Sequence, residues 1–363
     1  MENLLFFELL QVALGNRTNL SRVPTVKEWV SIYEESEKQA VTGILICGVD
    51  KLPADQRPPQ PVLLQWIGVW QMIEQRNKLM NERCCELLGM LNALGLKGTI
   101  LKGQGIAQLY DKELRVLRQS GDIDVFVDCG LKKTLEFAKS QGQNDIDWDY
   151  KHLHLNIWDD TEVEMHYRVE VLLNLWKNRK LQRWFKEHQD AIQRSRFKVQ
   201  SGEIVTPTVE FNVFYILLHI YRHFLYEGVG LRQIVDYYYV LKTIANTDFT
   251  DKTDYARDAV SQFGMEKFAR GLMWVMQETL GMPAQWMLWE PDKKEGEYIL
   301  KQVMTGGNFG HHDMRLKHGG GKIGAVKAIL THNLHLLAHY PSDVIWAPVW
   351  IVWHKVWKMT RKV

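Results

Sequence analysis

The stretch from Gly121 to Asp128, Gly-Asp-Ile-Asp-Val-Phe-Val-Asp, alternates acidic and apolar residues. Side chains in a β-strand point to opposite faces with a period of two, so the pattern predicts a strand with Asp122 and Asp124 on one face. Two neighbouring carboxylates repel each other unless a divalent cation lies between them, and Mg²⁺ is the obvious candidate. An antiparallel strand with one solvated face shows the same alternation, so the pair alone leaves both interpretations open.

A strand, a tight turn and a helix are predicted just upstream. Gly98 to Gly103 is β-branched and apolar and is stopped by glycine, and the residues from Gln104 to Tyr110 continue with helical spacing. A glycine at such a turn lets backbone N–H groups approach a phosphate, with Lys102 and Gln104 on either side. An ordinary strand-to-helix connection has the same pattern.

A second acidic strand is predicted downstream. The segment from Thr161 to Tyr167 alternates so that Glu162, Glu164 and His166 share one face. A helix from Leu131 to Ser140 and a strand from Lys151 to Trp158 are predicted between the two acidic strands. This order predicts an α+β fold with a small mixed sheet and helices on one face, in which a third carboxylate completes an oxygen-rich metal site.

Three motifs of this region resemble a known family. They are Leu101-Lys102-Gly103, the run Arg118-Gln119-Ser120-Gly121-Asp122-Ile123-Asp124, and Val163 to His166. Together they resemble the nucleotidyltransferase superfamily that includes DNA polymerase β and the aminoglycoside nucleotidyltransferases. The likeness is closer to the branch labelled uncharacterised bacterial nucleotidyltransferases. It covers roughly Thr99 to Tyr167, and Gln104 stands where the superfamily usually has serine or a second glycine.

The resemblance implies a Mg²⁺- or Mn²⁺-dependent enzyme that transfers a nucleoside monophosphate from an NTP to an unidentified acceptor and releases pyrophosphate. It implies that Asp122 and Asp124 hold the metal, and that Glu164 completes the metal shell or acts as general base. These three carboxylates are the predicted catalytic and metal-binding residues. The residues predicted to bind nucleotide and phosphate are Lys102, Gly103, Gln104, Arg118 and Gly121.

Helical regions are predicted on both sides of the sheet. The predicted organisation is an N-terminal helical region over 1–95, a nucleotidyltransferase core over 96–205 and a C-terminal helical domain over 206–363. Thr25 and Glu28 form a capping-box pattern, and a long amphipathic helix is predicted from Val62 to Leu94.

Two pairs with helical spacing lie in the predicted C-terminal domain. His219 and His223 are four residues apart, but the glutamate of the zinc metalloprotease motif is missing, so core or substrate-contacting histidines are favoured. Arg232 and Asp236 are also four apart, as in an ordinary intrahelical ion pair. The related branch has a similar stretch, which implies a helical domain that closes over the nucleotide or acceptor. The second-tier substrate contacts are therefore His166, His219, His223, Arg232 and Asp236.

Composition limits the partners and the location. A net charge of +2 gives no strong nucleic-acid signal. The four cysteines lack zinc-like spacing, and neither a basic leader nor an apolar run long enough to span a bilayer is present, so we expect a cytoplasmic protein.

The C-terminal tail from Asp343 combines tryptophans with basic residues. This composition suits peripheral contact at a membrane interface, or a core-facing helix with a solvated basic end, which we favour. The residues concerned are Trp346, Trp350, Trp353, Trp357, Lys355, Lys358, Arg361 and Lys362.

A second function class stays open from the sequence. The scaffold could serve a catalytically inactive, antitoxin-like regulatory or binding protein, since a fold does not determine its function. The presence of all three carboxylates, Asp122, Asp124 and Glu164, argues for an enzyme. A helical nucleic-acid binder ranks last, because only the tail offers a concentrated basic face.

Overall fold

The chain forms an α+β fold in which a small sheet is flanked by helical regions. The computed structural model describes residues 4–193, 195–247, 253–313 and 335–361. The strands are β1 Gly98–Ile100, β2 Ile123–Val127, β3 His152–Trp158, β4 Thr161–His166, β5 Ser195–Val199 and β6 Gly202–Thr206. The helices are α1 Leu4–Ala13, α2 Val26–Lys38, α3 Thr42–Lys51, α4 Gln60–Ala93, α5 Gln104–Ala107, α6 Lys112–Arg115, α7 Gly130–Ser140, α8 Leu175–Glu187, α9 Gln189–Ile192, α10 Val209–Tyr226, α11 Leu231–Ala245, α12 Asp254–Gln262, α13 Glu266–Leu280 and α14 Lys293–Gly306. Near the C-terminus follow Pro341–Val344 and the tail helix, Trp346–Met359.

The four-stranded sheet is mixed, as the sequence predicts. Its strand order is β1-β2-β4-β3, with β1 antiparallel to β2, β2 parallel to β4 and β3 antiparallel to β4. Strands β5 and β6 form a separate hairpin. The two acidic strands β2 and β4 are therefore direct neighbours at the centre of the sheet.

One face of this sheet is closed by helices. Alternate residues of β2, β3 and β4 point to an apolar core that also contains side chains from the C-terminal half of α4 and from α7. Val125, Leu153, Leu155, Val163 and Met165 have no exposed surface there. Because a strand alternates its faces, burying these residues turns the intervening acidic and histidine side chains to the opposite face.

The chain divides into two compact units that are interleaved in sequence. The sheet unit comprises Leu79–Ile106, Gly121–Phe211 and, of its last segment, the described residues 335–361; the helical unit comprises Met1–Lys78, Ala107–Ser120 and Asn212–Asp313. Long helix α4 contributes its N-terminal half to the helical unit and the rest to the sheet unit.

The helical unit is held together by buried aromatic side chains. Trp29 and Trp66 are fully buried and meet edge to face, with ring centroids 6.1 Å apart. Tyr110 and Tyr239 stack at 4.0 Å. The predicted capping box is present at the start of α2, where Thr25 and Glu28 exchange side-chain and backbone hydrogen bonds. Such a reciprocal cap satisfies two N–H groups that the first turn of the helix leaves without partners.

The tail helix packs one of its faces within the sheet unit. Trp350, Trp353 and Trp357 surround Tyr150, with ring centroids 5.4, 5.0 and 4.9 Å away. Lys358 Nζ donates a hydrogen bond to the carbonyl oxygen of Trp148 at 2.7 Å. The predicted tail residue Lys362 lies outside the described residues. No helix in the described part of the chain combines the length and apolar character needed to cross a bilayer.

Candidate active site

The parallel pairing of β2 with β4 sets two carboxylates side by side. Asp124 and Glu164 are register partners on these strands, and both point away from the apolar core. The Asp124 side chain is 1% exposed and that of Glu164 is 18% exposed. Two ionised groups this close and this shielded from water need nearby positive charge or strong donors.

Lys102 and His166 supply that compensation. Lys102 Nζ lies 3.0 Å from Asp124 Oδ1. His166 Nε2 lies 2.9 Å from the same oxygen and 3.3 Å from Glu164 Oε2. Since ionised carboxylates only accept hydrogen bonds, His166 Nε2 carries the hydrogen and is shared by both acids. One ligand atom from each of Asp124, Glu164 and His166 lies within 4.8 Å of the others.

These contacts determine the ionisation of the cluster. Burial alone would raise the pKa of Asp124, but Lys102 and the hydrogen bond from His166 lower it to about 2. For Glu164 the penalty of burial is likewise overcome, by the hydrogen bond from His166 and the charge of Lys102, which hold its pKa well below the usual range. Burial opposes the charged form of Lys102, yet Asp124, Asp122 and Glu164 raise its pKa. The two central acids are therefore ionised at neutral pH.

Asp122 belongs to the same electrostatic cluster from a different position. It precedes β2, and its pKa is raised by burial and by the negative charge of Asp124, against the opposing effect of Lys102. It does not belong to either of the two metal-compatible groups of side chains that the described residues form. A raised pKa at a carboxyl next to other carboxylates marks a place where added positive charge would be stabilised.

The turn after β1 brings its glycine against the start of β2. Gly103 has a φ of +56°, and a Cβ built on it would lie 3.6 Å from the carbonyl oxygen of Asp122. Gln104 begins the four-residue helix α5, is buried, and donates a hydrogen bond to Asn81 Oδ1 at 2.8 Å. Gly121 is exposed just before β2. The predicted residues Lys102, Gly103, Gln104, Gly121, Asp122, Asp124, Glu164 and His166 thus all lie in the sheet unit.

Two histidines of this face were not among the predicted site residues. His152 and His154 alternate with buried leucines on β3, and their register partners on β4 are His166 and Glu164. The Nε2 atoms of His152 and His154 lie 3.3 Å apart. Burial, His166 and Lys151 lower the pKa of His152 to about 3, so its imidazole is neutral. The His-x-His alternation within the predicted strand is the sequence signal that would have found them.

A cavity of about 180 Å³ lies in the same unit. Phe126, which follows Asp124 by two residues, and Tyr167, which directly follows His166, both line it. The other lining residues include Phe185 and the cations Arg168 and Lys186. Aromatic faces combined with cationic groups suit flat or anionic parts of a ligand.

The comparison with protein families assigns the chain to a family. A family model described as an uncharacterised nucleotidyltransferase matches residues 25–281, which is most of the chain. The chain belongs to this nucleotidyltransferase family. The match includes both acidic strands and the glycine turn, so the predicted resemblance to nucleotidyltransferases is confirmed.

Other comparisons add little to the family assignment. The crystal structure of an antigenic nucleotidyltransferase-like protein from Paracoccidioides brasiliensis aligns with a TM-score of 0.35 and 11% sequence identity, covering 58% of this chain and 93% of that one. No curated protein sequence matches the chain significantly.

The other predicted site residues of this chain lie in the helical unit. The Arg118 guanidinium forms two hydrogen bonds with Asp236, Nε to Oδ1 at 2.6 Å and Nη2 to Oδ2 at 2.7 Å. Tyr110 donates a third to Asp236 Oδ1 at 2.7 Å. Arg118 and Asp236 were predicted separately, as a phosphate-binding and a second-tier residue, and the structure makes them one buried ion pair.

The remaining second-tier residues also lie on α10 and α11. His219 and His223 pack edge to face, with ring centroids 4.2 Å apart, and His223 Nδ1 lies 2.6 Å from Glu227 Oε2. Arg232 Nη1 donates a hydrogen bond to the carbonyl oxygen of Gln119 at 3.1 Å. Neither metal-compatible group of the described residues includes these histidines. Their predicted contacts with substrate stay predictions.

The positive φ of Gly103 predicts a cost for any side chain at the turn. We expect Gly103→Ala to lower the free energy of unfolding by about 1–2 kcal/mol, because L-residues are strained in the left-handed region. Gly89→Ala is the matched control in the same unit: Gly89 is exposed within α4 with open space around it, so alanine there should stabilise by about 0.5–1 kcal/mol. Urea unfolding measures both variants, and effects of equal sign would contradict this account of the turn.

The buried Arg118–Asp236 pair predicts a larger effect in the helical unit. Asp236→Asn leaves the guanidinium buried beside a neutral partner, which should lower the free energy of unfolding by about 3–5 kcal/mol. Glu74→Gln breaks the exposed pair of Glu74 with Lys78 (2.9 Å) and should cost about 0.5 kcal/mol or less. Denaturant unfolding of the two variants gives the comparison. A similar small loss in both would show that the buried pair contributes little.

Proposed function

We propose that the protein is a metal-dependent nucleotidyltransferase that transfers a nucleoside monophosphate from an NTP to an acceptor and releases pyrophosphate. The observation that carries the proposal is the placement of Asp124 and Glu164 as register partners on one sheet face, beside Lys102 and the turn at Gly103. Such transfer depends on charge neutralisation and alignment more than on covalent catalysis by the protein. In this proposal the carboxylates and Lys102 provide the charge neutralisation, and the strand register provides the alignment.

The donor set fits Mg²⁺ or Mn²⁺. Carboxylate oxygens are the ligands these ions prefer, and Asp124 and Glu164 are both ionised and close together. Asp122, whose pKa is raised by its neighbours, would be relieved of that repulsion by an added cation. The three carboxylates would therefore hold the ion, which when bound supplies charge neutralisation for the triphosphate and acidifies the attacking hydroxyl.

The other residues of the site would orient the nucleotide. Lys102 is the buried cation nearest the acids, so in this proposal its ammonium group contacts the β- and γ-phosphates. The turn at Gly103 would present backbone N–H groups to the same phosphates, aided by Gln104 and Gly121. The low pKa of Glu164 makes it a poor proton acceptor, which favours a role as metal ligand over that of general base.

His166 would act as a positioning residue in this site. Its single Nε2 hydrogen is shared by Asp124 and Glu164, so it fixes the rotamers of both acids from a fully buried position. A group that orients metal ligands in this way maintains the separation that the ion requires. We assign Arg118 a structural role within the helical unit through its ion pair with Asp236, and its contact with phosphate stays a prediction.

The cavity beside β2 and β4 would hold a part of a substrate other than the triphosphate. Its aromatic residues suit a base or a sugar ring, and Lys186 and Arg168 suit an anionic group. We also propose that the protein works in a reducing cytoplasm, where its four cysteines would stay thiols.

The proposal predicts nucleotide binding that depends on both metal and carboxylates. Non-hydrolysable ATP, CTP, GTP and UTP analogues titrated calorimetrically into the full chain should bind only with Mg²⁺ present. Asp124→Asn should weaken that binding by about 10²-fold or more, because it removes a charged metal ligand. Asp159→Asn, an equally conservative change at an exposed site between β3 and β4, should bind like the wild type.

The outcomes separate the two function classes. If no analogue binds with or without Mg²⁺, the proposal of a nucleotide-using enzyme fails and the regulatory alternative takes its place. If binding persists in Asp124→Asn at wild-type strength, the nucleotide site is elsewhere and the assignment of the carboxylates is wrong.

A further inference from the structure

The edge strand β3 carries a second group of possible metal donors. His152 and His154 point to the same face as Glu164, opposite the buried Leu153 and Leu155. His152 Nε2 lies 3.3 Å from His154 Nε2, and His152 Nδ1 lies 3.5 Å from Glu164 Oε2. One ligand atom from each of the two histidines and Glu164 lies within 4.8 Å of the others.

The spacing of the two Nε2 atoms, which also lies within hydrogen-bonding range, is the spacing of two ligands on one metal ion. Metal–nitrogen bonds of about 2.0–2.1 Å at tetrahedral angles place two ligand nitrogens about 3.3 Å apart. His152 is more than nine-tenths buried, so an ion bound through its Nε2 would be shielded from water on that side.

The surroundings also resemble those of a metal-binding histidine. His154 Nδ1, the ring nitrogen away from His152, lies 3.6 Å from Glu162 Oε1, so a carboxylate is near the nitrogen that metal-bound imidazoles commonly direct toward one. The His154 side chain is 36% exposed, which leaves one side open for water or a substrate group. Two imidazoles and a carboxylate form a donor set for Zn²⁺, Co²⁺ or Mn²⁺ rather than for Mg²⁺.

We propose that His152, His154 and Glu164 bind a divalent ion of the zinc class, at a site that shares Glu164 with the proposed Mg²⁺ site. Binding of this ion does not require that the protein transfer nucleotides. The site extends the acidic face of the sheet from its centre to its edge, and Glu164 is the link because it belongs to both groups of ligands.

Cobalt spectroscopy tests this site without an activity assay. The chelator-treated chain is titrated with Co²⁺ in saturating Mg²⁺, and the visible absorption of low-symmetry Co²⁺ is recorded. We expect about one equivalent of absorbing Co²⁺, lost in His152→Gln/His154→Gln and weakened at least about tenfold in His154→Gln. Asp124→Asn, which keeps all three ligands, should retain the absorption.

The results that would contradict this metal site can be distinguished from a failure of nucleotide binding. Absorption that is absent in the wild type, or unchanged in the double variant, overturns the site whether or not NTP analogues bind. His154→Gln affects a half-exposed side chain, so it tests the site even if the double variant does not fold. Far-UV circular dichroism establishes that each variant is folded.

A separate observation concerns the outer face of the tail helix. Apolar residues of this helix, with Ile345 just before it, form a stripe with helical spacing that is turned away from Tyr150 and exposed to solvent: Ile345, Val349, Val352, Val356 and Met359. Val352 is 66% exposed and Met359 is 80% exposed. A continuous exposed apolar stripe of this kind marks an interaction surface.

The positive charge of the tail helix indicates its partner. The tail carries Lys355, Lys358 and Arg361, of which Lys358 and Arg361 also contact Trp148 and Trp357, and no acidic residue follows Asp343 in the sequence. A second copy of the helix would bring like charges together, whereas an anionic bilayer attracts them. We infer that the tail helix lies in the surface of an anionic membrane with this stripe inserted.

Vesicle sedimentation tests this inference. The full chain should sediment with phosphatidylcholine vesicles that contain phosphatidylserine, and less with phosphatidylcholine alone or at high salt. Val352→Ser/Val356→Ser should weaken binding about tenfold or more, since two apolar side chains lose their favourable transfer. Trp176→Ser, at a 69% exposed residue of α8, is the control and should bind as the wild type does.

Three results would contradict the inference. These are no sedimentation with anionic vesicles, equal binding by the double variant, or a wild-type dimer that the double variant abolishes. The last result would assign the stripe to a second copy of the chain.

Discussion

The acidic face of the sheet is stable because positive charge and hydrogen-bond donors offset the burial of two carboxylates. Lys102 and His166 contact Asp124, and His166 also contacts Glu164. Without such contacts, each buried carboxylate would lower the free energy of unfolding by about 3–5 kcal/mol. The strand register makes this contact possible, because parallel pairing places the two acids directly beside each other. A site that tolerates this much negative charge is already arranged to accept a cation.

The apolar face of the same strands explains why that arrangement is rigid. Val125, Val163 and Met165 are fully buried against α4 and α7, and a one-residue slip would move the acids into that core. Packing on one face therefore determines the positions of polar groups on the other. In the helical unit, the buried charges of Arg118 and Asp236 also compensate each other. Their ion pair connects α11 to the segment before Gly121.

Local patterns in the sequence predict the acidic strands and the residues on their shared face. They do not predict which distant residues or strands become neighbours. The alternation of residues predicts β2 and β4 and the shared face of Asp122 and Asp124, since it depends only on strand geometry. The sequence does not predict the partner of Arg118, because Asp236 is 118 residues away and helical spacing favours Arg232 as the neighbour of Asp236. For His152 and His154, the His-x-His alternation predicts that they share one face of a strand, but it does not indicate that the acidic strand β4 lies beside them.

The most direct test of the account is a crystal structure of the full chain with Mn²⁺ and a non-hydrolysable NTP analogue, with anomalous scattering recorded at the manganese edge. The account predicts an anomalous peak bound by Asp124 and Glu164, with the triphosphate beside Lys102 and Gly103. A triphosphate bound away from this face, or a manganese peak that these two carboxylates do not contact, would contradict it.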